Sequence, residues 1–145
     1  MIDMGKCMPF ILCALLCVQF IGAAEFYVKR KANQVLTGNE RVIWDQEYID
    51  SGGAFSVNTG IFTAPSDGIY FFACYFRCPN NQMLNLNILR QGIINGNGFA
   101  RSGTGSMMVL FRLKKFDRVE VRHSQNSPQQ TIMGNYSRFV GFKIG

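Results

Sequence analysis

Along this chain apolar and polar residues alternate in short runs, and helical spacing is hard to find. Apolar stretches broken by Gly, Asn, Asp and Pro recur roughly every 8 to 15 residues, the pattern of an all-β domain. Residues 26–32 open it, with Phe26 and Val28 on one side and Lys29 and Lys31 on the other. Residues 41–44 form a second short run. Residues 53–57 and 60–63 follow, split by the turn-like Asn58-Thr59. Ala64-Pro65-Ser66-Asp67-Gly68 predicts a turn, because Pro fixes φ and Gly accepts a positive φ.

Residues 69–77, I-Y-F-F-A-C-Y-F-R, are the most apolar segment. Ile69, Phe71, Ala73 and Tyr75 share one face of a strand; Tyr70, Phe72, Cys74 and Phe76 share the other. Both faces are apolar, so both are expected to be covered. A sandwich has one inner face, and a second subunit covers the other most simply. We assign Tyr70, Phe72 and Phe76 to the outward, subunit-facing side, and expect a homotrimer that hides it by closed symmetry.

Residues 83–89 alternate, with Leu84, Leu86 and Ile88 against Asn85 and Asn87. Residues 95–106, N-G-N-G-F-A-R-S-G-T-G-S, read as a long Gly-rich loop. Residues 107–114 predict a strand with Val109, Phe111 and Leu113 inward and Arg112 and Lys114 outward. Val119 and Val121 point inward in the next strand; residues 123–130 are polar; residues 138–144 close the chain on Phe139 and Phe142. No linker divides these segments, so one β-sandwich domain is expected over 25–145.

The first segment reads differently. Lys6, an apolar run over residues 7–21 and the small residues Gly22-Ala23-Ala24 match a secretory signal peptide cut after Ala24. A spanning helix needs about 20 apolar residues; Pro9 and Gln19 interrupt this one. The mature chain is thus expected to be secreted, with no membrane insertion. Cleavage removes Cys7, Cys13 and Cys17 and leaves Cys74 and Cys78. Four residues of strand separate their Cα atoms by ~13 Å, beyond the roughly 7 Å limit for a bridge. Two buried thiols and no intrachain disulfide are expected.

With 15 Lys and Arg against 9 Asp and Glu the net charge is +6, without any block of like charge. Arg112, Lys114, Lys115, Arg118 and Arg122 fall on or beside strands and are the candidate ligand-binding residues. They suit anionic partners such as sulfated glycans, microbial surface polymers or acidic proteins. No nucleic-acid motif accompanies them, so nucleic acid is not an expected partner. The single His123 excludes a His cluster, and the Cys spacing does not suit zinc. No metal or other cofactor is expected. A Ser-His-Asp set could only be drawn from Ser124, His123 and Asp67 or Asp117, with no G-x-S-x-G to support it. No catalysis is expected. Asn135-Tyr136-Ser137 is the single glycosylation sequon.

Residues 59–72, T-G-I-F-T-A-P-S-D-G-I-Y-F-F, resemble the signature of the C1q domain family, the globular head of complement component C1q. Val42-Ile43-Trp44-Asp45 is similar to the family's apolar-aromatic-Asp strand. Residues 113–119, L-K-K-F-D-R-V, resemble its L-x-x-G-D-x-V segment, and Phe139-Val140-Gly141-Phe142 its closing F-x-G-F strand. Phe116 stands where the family has Gly. The resemblance covers nearly all of 25–145. It implies a ten-stranded jelly roll shared with the tumour-necrosis-factor ligands, trimeric assembly, and binding rather than catalysis. Some members bind calcium near the trimer axis; Asp50 and Asp67 are isolated here, with no D-x-D run, so calcium is not expected. The expected function is a head-only secreted trimer recognising carbohydrate or microbial surface patterns. A signalling ligand for a cell-surface receptor (tumour-necrosis-factor-like or cerebellin-like) is the alternative, and an adhesive matrix protein the third.

Overall fold

The structure, a computed structural model, describes residues 24–145. The expected signal peptide, residues 1–24, therefore lies outside the described residues except for Ala24. That residue is buried, and its carbonyl accepts a hydrogen bond from the Lys143 amide at 3.0 Å.

Two five-stranded sheets pack face to face as a jelly-roll sandwich. Sheet I has the order β3 (Gln46–Ser51), β1 (Glu25–Lys29), β12 (Arg138–Lys143), β6 (Gly68–Arg77), β9 (Thr104–Leu113). Sheet II has the order β4 (Phe55–Ser56), β5 (Ile61–Thr63), β10 (Arg118–His123), β7 (Met83–Arg90), β8 (Ile93–Arg101). A two-stranded ribbon, β2 (Gln34–Leu36) with β11 (Gln130–Ile132), stands outside these ten strands. All pairings are antiparallel. The all-β, ten-stranded expectation holds. Residues 41–44 differ from it: they make only one isolated bridge, Arg41 to Arg122, while Trp44 plugs the core.

The core is aromatic. Phe26 from β1 stacks on Phe55 from β4 at 4.7 Å between centroids and meets Phe139 from β12 edge-on at 5.0 Å. Phe62 from β5 meets Phe72 from β6 at 5.2 Å. Offset and edge contacts of this kind add to area burial. Gly141, inside the F-x-G-F strand, makes the packing possible. A Cβ there would lie 2.7 Å from Cδ1 of Phe72 and press on the Phe26 ring.

Strand β6 corrects the predicted parity. Tyr70, Phe72 and Phe76 are each 0% exposed and point into the sandwich. They are core residues of one chain and cannot face a second subunit. The opposite set, Phe71, Ala73 and Tyr75, faces outward. Periodicity separates the two sets of an all-apolar strand but carries no label for which set is inside. The neighbours decide it: Phe72 lies opposite Val109 and Gly141, whose strands bury Phe111 and Phe139 on the same side.

Residues 95–106 are also corrected. They are not a loop but the end of β8, a short turn at Ser102-Gly103, and the start of β9. The glycines serve packing. A Cβ on Gly98 or on Gly105 would each sit 2.9 Å from the Phe76 ring, which fills the space between these strands. At the expected turn after Ala64, Gly68 does not adopt a positive φ. It is needed for space, because a Cβ would press on the Gly145 carbonyl and the Lys143 side chain.

Candidate functional site: a basic pocket on sheet II

The sandwich leaves two outer faces. On sheet I, Tyr27, Val140, Phe142, Phe71 and Tyr75 form a continuous band, extended by Met108 and by Leu110, which is 63% exposed. On sheet II the central strand β10 sets the chemistry. Val119, Val121 and His123 point inward, so Arg118, Glu120 and Arg122 point outward.

Glu120 is 7% exposed and organises the group. Its Oε1 accepts from Nε of Arg122 at 2.6 Å, and its Oε2 accepts from Nε of Arg41. Arg41 is brought in by the segment before β3. The Val42 amide bonds the Val121 carbonyl at 2.9 Å, and the His123 amide bonds the Glu40 carbonyl at 2.8 Å. The outer guanidinium nitrogens of Arg41 and Arg122 reach the Thr59 and Asn39 carbonyls at 3.4 and 3.3 Å. Arg118 is clamped at its backbone. Its amide donates to Oε1 of Gln91 at 2.7 Å, and its carbonyl accepts from the Gln91 amide at 2.9 Å. Its exposed guanidinium has no ion-pair or hydrogen-bond partner among the described residues. Two guanidinium groups thus share one carboxylate, and a third stands unpaired, around a depression of about 250 Å³ also lined by Ile61 and the Gln91-Gly92 turn.

A second depression of about 540 Å³ adjoins it and shares Ile61 and Arg118. Phe55, Pro65 and Phe116 also line it. Phe116 is 70% exposed with φ of 76°, and Lys115 Nζ lies 5.1 Å from its ring centre. The chain keeps a glycine-type turn where the sequence has phenylalanine. Asp117 and Asp67 hold that turn by accepting from the Lys114 and Lys115 amides at 3.0 and 2.8 Å.

The five predicted basic residues therefore divide. Arg118 and Arg122 meet in the pocket, and Lys114 and Lys115 lie in the turn beside it. Arg112 does not join them; it faces outward from sheet I, opposite Ile69. Sequence reasoning missed Arg41, which sits 77–81 residues from its partners, and Glu120, which reads as an ordinary surface acid. The Arg41 to Arg122 bridge has no local signal.

His123 and the candidate triad come apart. The imidazole is fully buried. Gln130 Oε1 accepts the Asn85 amide at 2.8 Å, which fixes it as the oxygen, so His123 Nε2 is the protonated nitrogen of the 2.9 Å contact between them. Nδ1 has no partner. Asp117 precedes β10 and His123 ends it, so the strand holds them about 20 Å apart. Cys74 and Cys78 are buried, free thiols, and burial raises the Cys74 pKa strongly. Asn135 is exposed in the turn before β12 with φ of 65°; Ser137 of its sequon is buried and accepts the Arg77 amide at 3.1 Å. Asp50 caps the Ala54 and Phe55 amides.

The C1q domain family profile matches residues 25–144. The chain is 30% identical over 115 residues to the heavy metal-binding protein HIP of Mytilus edulis, a match covering 75% of this chain and 54% of that protein. The chain thus spans about half the length of this curated relative. Among solved structures it is similar to the globular domain of zebrafish complement 1qA, with a TM-score of 0.71, 20% identity, and 84% and 98% of the two chains covered. The Eiger TNF of S. frugiperda gives 0.68 at 11% identity over 86% and 94%. Murine APRIL gives 0.64 at 13% over 84% and 99%. These likenesses show a shared fold. The family profile runs through both sheets and the aromatic core, and on that ground this chain belongs to the C1q domain family.

Proposed function

We propose that the protein is a secreted, non-enzymatic binding module that assembles as a homotrimer through sheet I and holds anionic carbohydrate of microbial or matrix surfaces on sheet II. The carrying observation is the division of chemistry between the two outer faces. One presents a band of Phe, Tyr, Met and Leu; the other presents arginines around a single carboxylate. An exposed apolar band of this extent marks an interaction surface. The planar guanidinium fork suits carboxylate and sulfate. Three copies turn weak single-site contacts into avidity.

The similarity to a heavy metal-binding protein raises metal binding for this chain. The donors do not fit. Among the described residues no three of His, Cys, Asp and Glu gather, and His123, Cys74 and Cys78 are buried.

The test is light scattering on secreted material, followed by salt elution from heparin and from an anionic cell-wall polymer. A mass three times the chain's is expected, with earlier elution for Lys114→Glu/Lys115→Glu. Retention on receptor-bearing cells without retention on any polysaccharide replaces this reading by the signalling-ligand one. N-terminal sequencing of the same material is expected to begin at Glu25, and a start that keeps Ala24 moves the predicted cut.

A further inference from the structure

We propose that Arg41, Arg118 and Arg122 form an anion seat and Phe116 a stacking platform beside it, so that the two joined depressions hold a pyranoside bearing a carboxylate or a sulfate. The proposal rests on the anionic-carbohydrate reading above and names its site.

The seat is built, not merely basic. Glu120 occupies the single Nε–H of both Arg41 and Arg122, which fixes the two side chains. Each then uses one terminal nitrogen on a backbone carbonyl, leaving the other without a hydrogen-bond partner among the described residues. Arg118 adds a whole unpaired guanidinium, positioned by two backbone hydrogen bonds to Gln91. Planar forks of this kind match carboxylate and sulfate oxygens. Two positive charges remain after Glu120 is counted, so the pocket favours an anion over a neutral group.

Phe116 supplies the second half. It is 70% exposed, so it adds little to the core. At φ of 76° it holds a backbone that a bulky L-residue rarely adopts, where Gly would sit without strain. Stability alone does not account for a strained aromatic displayed to solvent; such outliers concentrate at ligand clamps. Phe116 lines the same groove as Ile61 and Arg118. A sugar ring laid on Phe116 occupies a groove that Arg118 also lines. A groove of about 540 Å³ suits a saccharide unit.

The experiment compares wild type, Phe116→Gly, Arg118→Ala and Lys114→Glu/Lys115→Glu, each as the assembled secreted protein. Binding is measured by surface plasmon resonance to a heparin oligosaccharide (sulfate), to a polysialic acid oligomer (carboxylate) and to dextran (neutral). Wild type is expected to bind at least one of the acidic sugars and not dextran; the acidic arm that binds identifies the charged group. Arg118→Ala is expected to weaken that binding about tenfold, and Phe116→Gly roughly threefold to tenfold. Phe116→Gly is also expected to raise Tm by roughly 2–6 °C, because the strain is relieved. Loss of binding together with higher Tm is a result that damage to the fold cannot give. If Arg118→Ala and Phe116→Gly bind like wild type while Lys114→Glu/Lys115→Glu does not, this site is wrong and the anionic-carbohydrate reading stands. If wild type binds neither acidic sugar, both fall.

Discussion

The outer faces of sheets I and II come from the same strand alternation and carry opposite chemistry. On sheet I, outward positions opposite one another are apolar: Phe71 against Phe142, Ala73 against Val140, Leu110 against Phe71. On sheet II the outward positions of β10 are Arg118, Glu120 and Arg122, and the neighbouring segment adds Arg41. Charges on a strand face keep it wet and unpaired. An apolar band between such charges gains from being covered, at about 1.5–3 kcal/mol for each Phe-sized side chain fully buried. On the function proposed above, sheet I meets copies of the chain and sheet II an anionic partner.

The sharpest break in this comparison separates two adjacent residues. Phe72→Asp places an unpaired charge in the sandwich core, at a cost of ~3–5 kcal/mol or more, against a total domain stability of roughly 5–15 kcal/mol. Loss of soluble, folded protein is expected. Phe71→Asp changes the outward neighbour, and its expected product is a folded monomer, seen as native circular dichroism at one third of the wild-type mass. A Phe71→Asp protein that keeps the wild-type mass shows that sheet I is not the subunit contact.

A smaller effect probes sheet II. Glu120→Ala leaves Arg41 and Arg122 facing each other without their shared carboxylate. A loss of ~1–3 kcal/mol in denaturant unfolding is expected, below the fully buried case because both arginines are partly solvated. An unchanged midpoint shows that Glu120 does not organise the pocket.

The interior between the sheets sets a pH response of its own. Burial raises the Cys74 pKa, since the thiolate finds no solvation in the core. In the unfolded chain the thiol ionises in its ordinary range, while in the fold it stays protonated. Stability from this group is complete below the ordinary thiol pKa and falls as pH rises above it. Denaturant midpoints at pH 8 and pH 10 are expected to differ less in Cys74→Ala than in wild type. Equal differences place the alkaline loss elsewhere.

Much of the fold was legible because its signals are local. Alternation marked most strands, and residues 59–72 and 139–142 carried the family pattern. What stayed hidden depends on distant partners. The inward set of β6 is fixed in part by Phe26 and Phe139, which lie 46 and 67 residues from Phe72 in sequence. The Gly-rich stretch resembled a loop because its glycines make room for Phe76, a residue at least 22 positions away. The site was half legible for the same reason. Arg118 and Arg122 declare themselves two places either side of Glu120 on one strand, while Arg41 arrives only through the tertiary bridge.

The smallest expected effect is also the cleanest comparison of the two faces. Arg112 and Arg118 carry the same charge and stand six residues apart, yet β9 and β10 belong to different sheets. A surface that binds anions by net charge alone would treat their reversal alike, because screening over roughly 8–10 Å still leaves each contributing to the nearby field. A surface that binds through the sheet II pocket would not. Arg118→Glu puts a second carboxylate in the Glu120 pocket and removes the one guanidinium there that has no partner among the described residues. Arg112→Glu acts on the opposite side of the sandwich, next to Leu110 and across from Ile69. Elution from heparin is therefore expected to move to clearly lower salt for Arg118→Glu. For Arg112→Glu the affinity is expected to stay within about twofold, a change below ~0.5 kcal/mol and within the usual range for a surface substitution. Its trimer is expected to weaken slightly instead, read as a shift in mass on dilution. Equal losses in the two variants would mean that the anion is held by the field of the whole molecule, and the division between the faces would govern assembly alone.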